Sequence, residues 1–285
     1  MIGDLVLHDS THAAVEQFSA APVHGLLILG ANGSGKKTVA LAIIEETIGS
    51  LANNPYFLHI TAEGTSISIE TIRKLQEFVK LRTAGQATWR RAILIEDAHL
   101  LTVEAQNAFL KLLEEPPADT MIILTATRAT DLLPTITSRA QKITLKPLSQ
   151  ERLQQHFDSA TDQELVMRAY YMSNGRIGLM NRLLDDSQNQ ELLAAIDQAK
   201  QFLRQQPFER LVFVDQFTKQ KQSLIDFLWA LMAVSRAALY QAGKQDNTAA
   251  VKRWQKIITT VLAAQESLAA HPLPKLLLTD LSLQI

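Results

Sequence analysis

The stretch Gly30-Ala31-Asn32-Gly33-Ser34-Gly35-Lys36-Lys37-Thr38 carries the most specific chemistry in this chain. From Gly30 to Lys36 it fits G-x-x-x-x-G-K, a loop whose backbone N–H groups close around phosphates while its lysine reaches the outer ones. The apolar run GLLILG (25–30) precedes it and an apolar-periodic segment follows it. The loop therefore sits between a strand and a helix N-terminus, whose positive end adds to the field on an anion. One residue breaks the pattern. The position after the lysine needs a Ser or Thr hydroxyl for Mg²⁺, and it holds Lys37. Thr38 lies one residue on, about 100° further round the helix, and is a poor substitute. The candidate nucleotide contacts are Gly30, Asn32, Gly33, Ser34, Gly35, Lys36, Lys37 and Thr38, with ATP or ADP as the ligand and Mg²⁺ disfavoured.

A second group of charged residues ends the apolar run AILIED (92–97). In phosphate-loop ATPases such a strand ends in Asp, which holds Mg²⁺, often followed by Glu, which activates the attacking water. Here the order is inverted. Glu96 stands in the metal position and Asp97 in the base position. With Lys37, this makes three departures around one metal ion and one water.

The elements that must position these groups are readable from periodicity. Short apolar runs at 25–30, 56–60, 92–97 and 121–127 suit strands of a parallel sheet covered on both faces. Between them, Thr38–Ile48, Ile69–Leu81 and Glu104–Glu115 carry apolar residues at helical spacing. Thr102 is placed to cap the last of these, and Pro116-Pro117 stops it. Strands alternating with helices give a doubly wound α/β domain. After LKPLS (145–149) the strand pattern fades. Residues 150–184 read as two or three short helices broken at Asn174-Gly175, and 188–285 as helical almost throughout, punctuated by Pro207, Gly243 and HPLPK (271–275). The expected domains are 1–148 (α/β), 149–186 (small helical) and 187–285 (helical).

Composition narrows the function classes. Hydrophobic residues are 47% and charged residues 20%, with a net charge of −1. An acidic partner would therefore need a local basic patch, for which Arg73, Lys74, Lys80, Arg82, Arg90 and Arg91 are candidates. There is no cysteine, which removes disulfides, thiolate catalysis and cysteine zinc sites and fits a cytoplasmic location. MIGDLVLHDS does not read as an export signal, and no uninterrupted apolar stretch approaches the length of a membrane span. Of the seven histidines, His99 follows the acids but reads as structural, and Trp229 and Trp254 read as helical core.

The segment TVEAQNAFLKLLEEPPADTMIILTATRATDLLPTITSR (102–139) resembles the bacterial DNA polymerase III clamp-loader subunits, gamma/tau and delta-prime. Their hallmark is a helix reading roughly A-x-N-A-L-L-K-x-L-E-E-P-P, then a strand with a sensor Thr and a short helix ending Ser-Arg-Cys. Here Phe109 replaces the first Leu and Ala140 the Cys. NPYFLHITAEGTSISIETIRKLQEF (54–78) and HPLPKLLLTDL (271–281) resemble further parts of the same family.

The resemblance implies an AAA+ module with a helical lid, then a helical collar through which subunits assemble as a hetero-pentamer. That ring uses ATP to load a sliding clamp on primed DNA. Gamma/tau subunits hydrolyse ATP. Delta-prime acts as a stator beside gamma/tau and delta. Lys37, the inverted Glu96-Asp97 and Gly178, where motor subunits carry a sensing arginine, point to delta-prime. The G-R-x-G of residues 175–178 and a chain ending just after the collar point the same way. The resemblance makes Arg139 an arginine finger for a neighbour's ATP and Thr127 the sensor. The GSLANNP stretch (49–55) stands where some members hold zinc, so no zinc is expected. Two alternatives stay open: an active gamma/tau-type ATPase, and a standalone AAA+ DNA-binding protein. The chain's own hydrolysis is expected to be weak or absent.

Overall fold

Strands of branched and aliphatic residues buried on both faces can only pair inside a covered sheet. In the computed structural model, β1 (Gly25–Leu29), β3 (Arg91–Ile95) and β4 (Thr120–Ala126) are buried along their whole lengths. With β2 (Phe57–Ile60) and β5 (Gln141–Thr144) they form a parallel sheet of order β2-β3-β4-β1-β5. The residues described are 2–157, 162–185, 190–214, 221–268 and 273–285. They divide into two compact units, Met1–His156 and Phe157–Ile285.

In the first unit, α1 (Asp9–Ala20), α2 (Lys36–Ile48), α3 (Ile69–Lys80) and α4 (Val103–Glu114) supply the covering layers. One layer packs Val15, Phe18, Val39, Ile43 and Ile44 against Leu26, Ile28, Leu94 and Ile123. The other packs Ile72, Leu75, Ala105, Phe109 and Leu112 against Leu27, Ile93, Ile95 and Ile122. The helix boundaries have local causes. Thr102 Oγ1 accepts the Ala105 N–H at 3.2 Å and starts α4. Ser68 does the same for Thr71 at α3. The short α5 (Pro134–Thr137) follows, and α6 (Gln150–Phe157) closes the unit, its Arg152 hydrogen-bonded to Asp9 of α1.

Two elements escape sequence reading. Helix α1 lies in a segment with no marked pattern, and β5 buries only Ile143, so it has no apolar run to reveal it. One candidate DNA contact is corrected. Arg91 is 1% exposed. Its guanidinium donates to the carbonyls of Val79 and Leu81 and lies 5.3 Å from the Phe78 ring centroid, so it ties the end of α3 and cannot reach phosphates. Arg90 is engaged with Asp119 and the Gly85 carbonyl.

The second unit is helical: α7 (Gln163–Ser173), α8 (Ile177–Leu184), α9 (Gln190–Arg204), α10 (Pro207–Val214), α11 (Lys221–Lys244), α12 (Thr248–Leu268) and α13 (Pro274–Gln284). Asn174, at φ 55°, ends α7 in the left-handed region, at the break expected there. Phe202, Phe213 and Phe227 meet at ring-centroid distances of 5.3–6.0 Å in its core, with Trp229 and Trp254 packed at the margin. Helix α11 is long and apolar enough over Ser223–Lys244 to cross a membrane, but its Leu224, Phe227, Leu228 and Leu231 are core residues here. The expected boundary at 186/187 and the His271-Pro272 punctuation lie outside the described residues.

Candidate functional site

The phosphate-loop pattern folds as its residue types require. It leaves the C-terminal end of β1 and enters α2, with Gly33 at φ 79° and Gly35 at φ 91°, both in the left-handed region that favours glycine. Gly30 is needed for a different reason. A Cβ there would stand 2.7 Å from Ser34 Oγ and 3.2 Å from Leu145 Cβ. Lys36 is 7% exposed, and its Nζ folds into the loop to donate to the carbonyls of Gly30 at 2.9 Å and Ala31 at 3.4 Å. Burial pulls its ammonium below the usual lysine range, against the upward pull of the Asp97 and Glu96 carboxylates.

The two acids sit beside the loop, at the C-terminal end of β3. Asp97 adopts φ 50°, and its N–H donates to Thr125 Oγ1 of β4 at 2.9 Å. Glu96 has two cationic or potentially cationic neighbours. Lys37 Nζ lies 3.1 Å from Glu96 Oε2, and His59 Nε2 lies 2.9 Å from the same oxygen. Thus the residue standing in the hydroxyl's place and the residue standing in the metal acid's place bind each other. Thr38 is exposed in the first turn of α2. Thr127 Oγ1 lies 3.5 Å from Asn32 Oδ1, which connects the end of β4 to the loop. His99, in a short turn after Asp97, has a buried Nδ1 with no hydrogen-bond partner.

Sequence reasoning missed His59. The available sign was a lone polar residue in the apolar run YFLHI, but its partner is set by the β2–β3 register, which pairs His59 with Leu94.

Arg139 is at the other end of the sheet. Its carbonyl lies 3.1 Å from a Cβ built on Gly25, the first residue of β1, whereas the phosphate loop leaves the last. Five strand residues at about 3.3 Å each separate the two by roughly 16 Å, more than one arginine side chain extends. Arg139 donates to the Thr135 carbonyl at 3.0 Å and pairs with Glu114 Oε1 at 2.8 Å, with 37% of its side chain exposed. Glu114 is the last residue of α4, so the E-E-P-P and S-R segments meet in space. Gln106 of α4, another residue not singled out from sequence, is buried and steadies the same corner. Its Oε1 accepts the Leu133 N–H just before α5 at 2.8 Å.

A family described as "DNA polymerase III, delta subunit" matches residues 14–149. A DNA polymerase III subunit delta' of Bacillus subtilis is 30% identical over 149 residues, covering 46% of this chain and 44% of the relative. One from Haemophilus influenzae is 31% identical over 144 residues, covering 50% and 41%. The chain thus spans less than half the length of these relatives. A DNA polymerase III gamma subunit-related protein of Thermotoga maritima has a similar fold, with a TM-score of 0.57 at 20% identity over 94% of this chain and 97% of that one.

Proposed function

We propose that the protein works as a stator-type clamp-loader subunit of delta-prime type, a reading supported by the family match over residues 14–149 and by the likeness to delta' subunits. The ion pair of Lys37 with Glu96 carries this reading. An ammonium neutralises the carboxylate that would hold Mg²⁺, and Asp97, one methylene shorter than Glu, stands in the base position. This donor set does not fit a divalent cation, because such an ion would have to displace Lys37 and then lie beside its charge. The chain's own ATP site is degenerate, and its contribution to catalysis is Arg139.

A guanidinium on the far edge of the sheet cannot serve its own loop, yet it is exposed enough to serve another subunit's. There it would neutralise charge on a γ-phosphoryl group in transfer. The assembly in which this happens contains gamma/tau and delta subunits and acts on a sliding clamp and primed DNA in the cytoplasm. Residues 149–186 form the lid, and 187–285 the collar that joins the ring.

The test is ATP turnover by the isolated full-length chain in excess Mg²⁺. Background rates, the same in Lys36→Ala, are expected. Substantial turnover that Lys36→Ala abolishes would mean a gamma/tau-type motor instead. Tight binding of DNA by the chain alone, falling steeply with salt, would mean a standalone DNA-binding protein.

A further inference from the structure

Two side chains inside the phosphate loop lack adequate partners. Ser34 is 8% exposed and its Oγ has no hydrogen-bond partner. It lies close to the start of the loop, where a Cβ on Gly30 would approach it to 2.7 Å. A buried hydroxyl left without a partner is unfavourable, and a ligand oxygen in the loop would supply one. Lys36 rests on two carbonyl oxygens, which hold an ammonium less strongly than phosphate oxygens do. The loop keeps its left-handed glycines and its helix N-terminus, so its anion-binding backbone is intact.

The acids beside it would ordinarily oppose a polyphosphate unless a metal ion screened them. Here the chain screens one of them itself. Lys37 Nζ, 3.1 Å from Glu96 Oε2, sets a positive charge against that carboxylate, and His59 Nε2 lies 2.9 Å from the same oxygen.

We propose that this loop binds a nucleoside di- or triphosphate as the metal-free anion, with Lys37 clamped on Glu96 standing in place of the divalent ion. The proposal rests on the degenerate-site reading and adds a ligand to it: the site is filled without metal. Three groups divide the work. The loop N–H groups and Ser34 Oγ hold the inner phosphates, Lys36 turns from the Gly30 carbonyl to the outer ones, and Lys37 offsets Glu96.

The experiment titrates the full-length chain with fluorescent N-methylanthraniloyl ADP and ATP, once in excess Mg²⁺ and once in EDTA. The two dissociation constants are expected to agree within about twofold. Lys36→Ala should weaken binding about tenfold or more in both media, because it removes a charge-assisted bond. Lys37→Thr restores the missing hydroxyl and unmasks Glu96, so in this variant EDTA should weaken binding about tenfold relative to Mg²⁺. Wild-type binding that needs Mg²⁺, or no saturable binding in either medium, would overturn the proposal. Hydrolysis read in the same samples separates this from the stator reading. Turnover with metal-independent binding would sink the stator and leave the proposal standing, while metal-dependent binding without turnover would do the reverse.

Discussion

Two sites at opposite ends of the β-sheet, the loop around Lys36 and Lys37 and the corner around Arg139, treat positive charge in opposite ways. At the C-terminal end, Lys37 is matched to Glu96, Glu96 is shared with His59, and Lys36 is folded into the loop. At the N-terminal end, Arg139 meets one half-exposed carboxylate and one carbonyl at the surface. The first arrangement settles its charges internally, and the second leaves a planar bidentate donor within reach of another molecule. The difference bears on what each end can offer another molecule: Lys37, paired with Glu96 in its own chain, offers little, whereas the loosely held Arg139 is free to turn to a second partner.

The largest effect that would sharpen this contrast is expected from Arg139→Ala. In a reconstituted loader whose other ATP sites are inactivated, the site it serves should lose about 10³-fold in turnover, while this chain's melting temperature stays put. An unchanged rate would remove the finger and, with it, one half of the contrast. At the opposite end, Gly30→Ala tests how tightly the loop is built. Ser34 Oγ can rotate away from the new methyl, but Leu145 Cβ at 3.2 Å and its carbonyl at 3.4 Å cannot easily retreat. A loss of about 1–3 kcal/mol in urea unfolding of the full chain is expected, and no loss would show that the loop adapts. The smallest effect is expected from Glu114→Gln. It removes the ion partner of Arg139 and should cost about 0.2–1 kcal/mol of stability. It should leave loader turnover almost unchanged; a large fall in turnover would mean that Glu114 positions the arginine.

Much of this architecture is legible in the residues alone because it depends on local rules. Four strands announce themselves as apolar runs, and α4 carries its own start at Thr102 and its own stop at Pro116. The phosphate loop is readable because glycines and a lysine at fixed spacing have few other uses. What escaped depends on pairings across the sheet. β5 is an edge strand with a single buried side chain. His59 matters only because β2 lies beside β3 in a register that brings it to Glu96. Arg91 looks like a surface cation by type, yet it is buried, because the end of α3 offers its donors two carbonyls and its face an aromatic ring. The identities of Lys37 and Glu96 were plain from sequence. Their mutual embrace was not, since they lie 59 positions apart in the chain.

The contact between Glu114 and Arg139 has a kinetic side. With side chains 49% and 37% exposed, it belongs to the class of surface pairs that hold by about 0.2–1 kcal/mol. A latch of that strength costs an incoming anion little to displace. An incoming anion would compete only with Glu114 and the Thr135 carbonyl for the guanidinium. Docking would need no rearrangement of the backbone, and when the anion departs the latch would simply fall shut, ready for the next cycle.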